Sequence, residues 1–283
     1  RRSDDSNYSN DGILCYISGT GYRRNDGRGR EGVGVHMRLL RNLYQVAGCM
    51  YGVHENVYAV QTGDGVVLID TGMDKKSYDV ICRNLKYWGM EKQKINKILL
   101  THAHYEHAGN CSRFKAGNID IYIHEAEAEA VKRGGDRIAE YRFLGCEPFQ
   151  AVPVCTAVGD GERIAAGEFL FEVIHVPGHS DGYVIYKLEM EGKVILFTGD
   201  TVLADKLCQE SMVGWTGGID YDEYKYIKSL EKLAAMDADI VLPGHGEVCM
   251  KDGGRLLNGV YLRARLLLTT QPHVTIHTDS LFR

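Results

Sequence analysis

A layered α/β fold is the class this 283-residue sequence predicts, and three observations carry it. Short apolar runs alternate with helical periodicities, the pattern comes in two similar halves, and the chemically capable polar residues stand directly after the apolar runs. A TIM barrel would need eight strand–helix units, more than the chain offers.

Residues 1–48 read as an amino-terminal extension or arm. "RRSDDSNYSNDG" and "GTGYRRNDGRGREGVG" are rich in Gly, Arg, Asp and Ser, with only the strand-like "ILCYIS" between them, and such composition buries little apolar surface. The main domain is expected over 49–283. "VYAVQTGDGVVLIDTG" from Val57 is two β-rich runs joined by a Gly-Asp-Gly turn, a hairpin. Tyr78, Ile81, Cys82, Leu85 and Trp88 then fall at helical spacing, with Gly89 where a helix would end. "INKILLTHAH" is a short buried strand, and "IDIYIHEAEAEAVKR" is a strand running into a helix. In the second half "FLFEVIHVPGHS", "YVIYKLEME" and "KVILFTGDT" are successive strands. A helix over "DYDEYKYIKSLEKLAA" is opened by Asp220, with Glu223 three positions on completing a capping box. "ADIVLPGHGEV" is one more strand and loop, and "RLLNGVYLRARLLL" is a closing helix.

Composition narrows the function. With 44% hydrophobic and 25% charged residues the chain can bury a sizeable core. A net charge of −5 argues against a partner held by phosphate neutralisation, so no nucleic acid is expected. No run approaches the roughly 18 to 20 apolar residues of a membrane helix, and the amino end is polar, so neither a membrane nor a signal peptide is expected and the cytoplasm is the expected compartment. Eight scattered cysteines without a CxxC pair read as reduced thiols. The arm leaves room for a homo-oligomer.

The chemistry is concentrated at strand ends. "THAHYEHAGN" places His102, His104, Glu106 and His107 after "KILL"; His179 follows "VIHVPG", Asp200 follows "VILFTG", and His245 follows "IVLPG". Strand ends of one sheet converge, so these loops can build one site. Neutral imidazoles with carboxylates suit zinc, iron or manganese. Alternate residues of an extended segment point the same way, so His102 and His104 can share one ion while His107 faces another. His124 and His175 read as packing or supporting residues and His54 as a surface histidine. Tyr183 and Trp215 are candidate pocket aromatics more easily explained as core, and Cys208 is not read as a ligand.

These residues resemble the metallo-β-lactamase superfamily, whose pattern is HxHxDH, then a His, a bridging Asp and a final His. The likeness spans Val57 to Val248. It implies a four-layer αβ/βα sandwich and two divalent ions, zinc first, with iron or manganese as alternatives. By the same resemblance His102, His104 and His179 hold one ion, Glu106, His107 and His245 the other, and Asp200 bridges. Asp70 in "LIDTG" matches an aspartate that supports the ligand loops. Two departures stand out: the pattern's aspartate is Glu106 here, and "GDTVLAD" lacks the tyrosine that quorum-quenching lactonases place after the bridging aspartate.

The implied function is a metal-dependent hydrolase in which a metal-bridging hydroxide attacks a small ester, lactone, thioester or amide, with Asp200 or Glu106 carrying the proton to the leaving group. The subgroup, lactonase-like or glyoxalase-II-like, stays open. A phosphodiesterase of the same fold, or a metal-stabilised binding or sensor protein with an impaired second ion site, are the competing readings.

Overall fold

The computed structural model describes residues 36–114, 119–134, 148–204, 211–214, 216 and 218–270. The arm up to Val35, Cys208 and Trp215 lie outside them. The first half comprises β1 (Met37–Leu40), β2 (Leu43–Ala47), β3 (Val57–Thr62), β4 (Gly65–Ile69), α1 (Lys75–Tyr87), β5 (Ile95–Leu99), α2 (Tyr105–Ala108), α3 (Cys111–Phe114), β6 (Asp120–His124), α4 (Glu125–Arg133) and β7 (Thr156–Val158). The second comprises β8 (Arg163–Ala166), β9 (Phe169–His175), β10 (Val184–Met190), β11 (Lys193–Gly199), β12 (Val202–Ala204), β13 (Ser211–Val213), α5 (Glu223–Ala234), β14 (Ile240–Pro243) and α6 (Gly253–Thr270).

Strands β1 to β7 form one sheet in sequence order, antiparallel through β4 and parallel from β4 to β7. The second sheet has the order β14-β11-β10-β9-β8, with β14 parallel to β11 and the remaining neighbours antiparallel. Side-chain alternation explains why strands such as β4 are buried throughout. Val66 and Leu68 join a core with Ile81 and Leu85 of α1 and Val131 of α4. Val67 and Ile69 face the other way and pack with Phe171, Val184 and Phe197 of the second sheet. The outer face of that sheet, with Ile185 and Leu196, packs on Leu230 of α5 and Leu257 of α6. The layers are therefore α, β, β, α, and the α/β sandwich follows from strands that are apolar on both faces.

The expected boundary at 48/49 falls inside this sheet. β2 is buried at all five positions and pairs with β3, and β1 pairs with β2, so residues 37–47 belong to the main body. The Gly- and Arg-rich composition of the preceding stretch masked a short strand pair whose second member has Leu43, Val46 and Ala47 fully buried. The hairpin turn lies between Thr62 and Gly65 as expected. α1 ends as its sequence predicts: Gly89 has φ +72, its N–H donates to Lys86 O, and Met90 N–H donates to Leu85 O, a Schellman closure. Among the described residues no helix is long and apolar enough to cross a membrane.

Two sets of C-terminal strand ends meet at one edge of the sandwich: those of parallel β4 and β5, and those of β9, β11 and β14. Hydrogen bonds lace them together. Val184 N–H donates to Thr101 O at 2.9 Å, Tyr186 Oη to Leu100 O at 2.8 Å, and Tyr58 Oη to Pro243 O at 2.6 Å.

Candidate metal centre

The loop after β5 carries His102 and His104, and His104, in extended backbone, is the N-cap of the single-turn α2, which carries Glu106 and His107. The loops after β9, β11 and β14 deliver His179, Asp200 and His245. The seven residues stand in two groups, His102/His104/His179 and Glu106/His107/Asp200/His245, and within each group one ligand atom per residue lies within 4.8 Å of the others. Asp200 faces both: Oδ1 is 3.1 Å from His107 Nε2, and Oδ2 is 3.5 Å from His245 Nε2 and 3.8 Å from His179 Nε2. His104 Nδ1 and His179 Nε2 converge to 3.2 Å.

Hydrogen bonds behind the rings assign the tautomers. Thr101 Oγ1 donates to the Asp70 carboxylate, so it accepts from His102 Nδ1–H at 3.0 Å. His107 Nδ1–H donates to Asp70 Oδ2 at 2.9 Å, and His245 Nδ1–H donates to the His54 carbonyl at 3.1 Å. In all three rings Nε2 is left turned inward, where it offers a lone pair once it carries no proton; His102 is held in that form, and an incoming cation would displace the proton from the other two. Asp70 also accepts Thr101 N–H at 2.8 Å and holds φ +62, so one conformationally unusual carboxylate orients a histidine of each group.

Charge follows this geometry. Burial, then the neighbouring imidazoles of His104, His107 and His179, hold His102 well below the ordinary imidazole range, in its neutral, lone-pair form. Burial alone would push Asp200 up, but His107 and His245 outweigh it and hold the carboxyl well below its usual range. Burial would likewise lower His107, yet Asp200 and Asp70 raise it well above the usual value. The residues fit a cation: His102 Nε2 and Glu106 Oε2 are buried without a hydrogen-bond partner, a costly arrangement that coordination relieves. The two groups differ in access. His102, His104 and His179 are buried, whereas the His245 side chain is 27% exposed and Glu106 half-buried.

The backbone is built close around these groups. Gly199 has φ +47, and a Cβ there would sit 2.1 Å from Tyr183 Oη. That hydroxyl accepts the backbone N–H of Asp200 and of Thr201 and donates to Thr198 O, which fixes the turn carrying Asp200. Tyr183 is fully buried under the site, core rather than pocket lining. His54 is exposed and serves through its carbonyl. His124 and His175 stack at 4.0 Å outside both groups; His124 Nδ1 caps α4 by accepting Ala126 N–H.

Three contributors carry no signal in the sequence. Asp220 does not cap α5: Asp222 does, accepting Lys225 N–H at 3.0 Å. Asp220 instead places Oδ1 3.9 Å from His104 Nε2 and accepts Asp181 N–H, because the chain needs two more residues to turn from the site into the helix. Glu127 is one of three glutamates in "HEAEAEA", yet the only one of them that is buried. Glu55 accepts Met73 N–H and bridges to His245 through the backbone.

Residues 50–245 match the family model described as the Metallo-beta-lactamase superfamily. The Atrochrysone carboxyl ACP thioesterase of Aspergillus fumigatus is 29% identical over 211 residues, covering 75% of this chain and 56% of that protein, so the chain spans little more than half the length of that relative. The human Acyl-coenzyme A thioesterase MBLAC2 is 28% identical over 225 residues, covering 69% of this chain and 74% of the relative. Among solved structures, BJP-1, a subclass B3 metallo-beta-lactamase of Bradyrhizobium japonicum, superposes with a TM-score of 0.64 at 23% identity over 83% of this chain and 92% of its own. Another B3 metallo-beta-lactamase, described as having an active site glutamic acid, gives 0.63 at 23% identity over 83% and 88%. With a family model matched over most of the chain and the fold shared with solved members, the protein belongs to the metallo-β-lactamase superfamily of hydrolases, whose chemistry runs on divalent metal ions, commonly zinc.

Proposed function

We propose that the chain is a dinuclear-metal thioesterase acting on an acyl group carried by coenzyme A or by a carrier protein. The observation that carries the reading is the pair of ligand groups converging on Asp200. His102, His104 and His179 would hold one ion, Glu106, His107 and His245 the other, and Asp200 both. When bound, the ions supply Lewis-acid activation of water and of the acyl carbonyl. The residues do the rest: Asp70 and Thr101 keep the rings oriented, Tyr183 holds the Asp200 turn, and Glu106 is the carboxylate that would take up a proton.

The leaving group favours a thioester over an amide. Asp200 is held ionised and is a poor acid, and a thiol of pKa about 8.5 departs as the thiolate without one, whereas an amine does not. Two relatives bear thioesterase names, which supports the same choice. "GDTVLAD" offers no tyrosine for a lactonase pocket.

The test is zinc analysis of the purified protein with a substrate panel: an acyl-coenzyme A with thiol detection, an acyl-homoserine lactone, a chromogenic β-lactam and bis(p-nitrophenyl) phosphate. Thioester turnover that a chelator abolishes and zinc restores is the expected result. Turnover of the phosphodiester alone would move the reading to a phosphodiesterase, and bound zinc without turnover of any of the four would move it to a binding protein.

A further inference from the structure

Glu127, third residue of α4, is 1% exposed, while Glu125 and Glu129 beside it are exposed. Its Oε2 accepts Ala103 N–H at 2.6 Å, and its Oε1 accepts Ser180 Oγ–H at 2.5 Å and Gly182 N–H at 3.0 Å. Ala103 stands between His102 and His104, and Ser180 follows His179. One buried carboxylate thus ties together the two loops that supply all three histidines of the buried group. The loops come from different sheets, so the tie also crosses the sandwich at its open edge. Gly182 makes the close approach possible: a Cβ there would lie 2.7 Å from Glu127 Cγ.

We infer that Glu127 is a positioning residue for the buried metal site, acting through the backbone of the two ligand loops; the inference rests on His102, His104 and His179 being ligands. Metal ligation tolerates only about 0.2 Å of distance error, and neither loop is held at that tolerance by regular secondary structure. A carboxylate with three converging donors sets the separation of the loops, and a carboxamide cannot. Glu127→Gln keeps one acceptor oxygen but presents an NH₂ to a group that is itself a donor.

The test is stepwise zinc titration of the metal-free full chain against a chromophoric chelator, with the visible spectrum of the cobalt-loaded protein and the thermal midpoint with and without metal. In Glu127→Gln the tighter binding step weakens by about 10- to 100-fold, as for other groups that orient ligands, and the weaker step shifts by less than about threefold. The cobalt spectrum changes, and the midpoint falls more in the metal-loaded protein than in the metal-free one. Ser180→Ala, which removes one donor and folds more readily, weakens the tight step by about two- to tenfold. Glu129→Gln on the exposed face of the same helix changes nothing. An unchanged tight step in folded Glu127→Gln or Ser180→Ala overturns the inference, as does equal weakening of both steps with equal loss of midpoint in the two forms, the mark of a merely structural role. Wild-type protein that binds no zinc overturns the ligand assignment itself, which keeps the two failures apart.

Discussion

At the residue scale the division of the candidate residues into two groups was legible because it depends on local spacing. HxH in extended backbone and a His three positions later divide between two groups by strand and helix geometry alone, and the structure separates His102 and His104 from His107 accordingly. Asp220 and Glu127 were not legible, because a carboxylate that accepts N–H groups from distant loops leaves no periodicity in its own segment. His104→Ala and Asp200→Ala should each lose bound zinc and cut kcat/KM by more than about 100-fold, beyond the 10- to 100-fold typical of groups that only orient ligands; metal analysis with turnover checks this. Glu106→Gln should lower occupancy of the exposed site and the rate together, whereas Glu106→Asp should retain both, because the shorter carboxylate keeps the charge. Two zinc ions per chain at an unchanged rate in Glu106→Gln would remove Glu106 from the ligand set. Burial pushes the Cys111 thiol up to about 12, so native protein at pH 8 should leave Cys111 unlabelled by iodoacetamide and denatured protein should not, as peptide mass spectrometry reads out.

At the scale of elements, helices and inner strands followed their periodicities, but the start of α5 did not. Two aspartates two residues apart divide the work there: Asp222 caps the helix and Asp220 approaches His104. Their substitutions should separate accordingly. Asp222→Ala should lower stability by about 1 kcal/mol with zinc affinity retained, and Asp220→Asn should weaken zinc binding while denaturant unfolding of the metal-free protein is nearly unchanged. The same effect from both variants would mean that the turn acts as one unit. β1 and β2 escaped the sequence reading for a different reason. Four- and five-residue strands beside a Gly- and Arg-rich stretch contribute too few apolar residues to stand out, although β2 is set in register by pairing to β3 and β1 by pairing to β2.

For the whole molecule, the layered class was readable because nearly every inner strand is apolar on both faces, which only helices on the outside of both sheets can satisfy. The start of the compact body was not, and truncation tests it. Removing residues 1–34, which lie outside the compact unit beginning at Val35, should leave zinc content and thermal midpoint close to those of the full chain. Removing residues 1–48 should destabilise it by several kcal/mol, since Leu43 and Val46 each bury a side chain worth about 1.5 to 3 kcal/mol and β3 loses its partner. Equal midpoints for the two truncations would restore the boundary at 48/49.

The unequal exposure of the two ligand groups reaches beyond catalysis. An ion on His102, His104 and His179 would have to part their loops to leave, since all three side chains are buried, and would exchange slowly. An ion on the second group would have the 27% exposed His245 side chain as its route to water and would exchange faster. Two exchange rates are then the expected signature when protein loaded with one metal is challenged with another, and a single rate would set this reading aside.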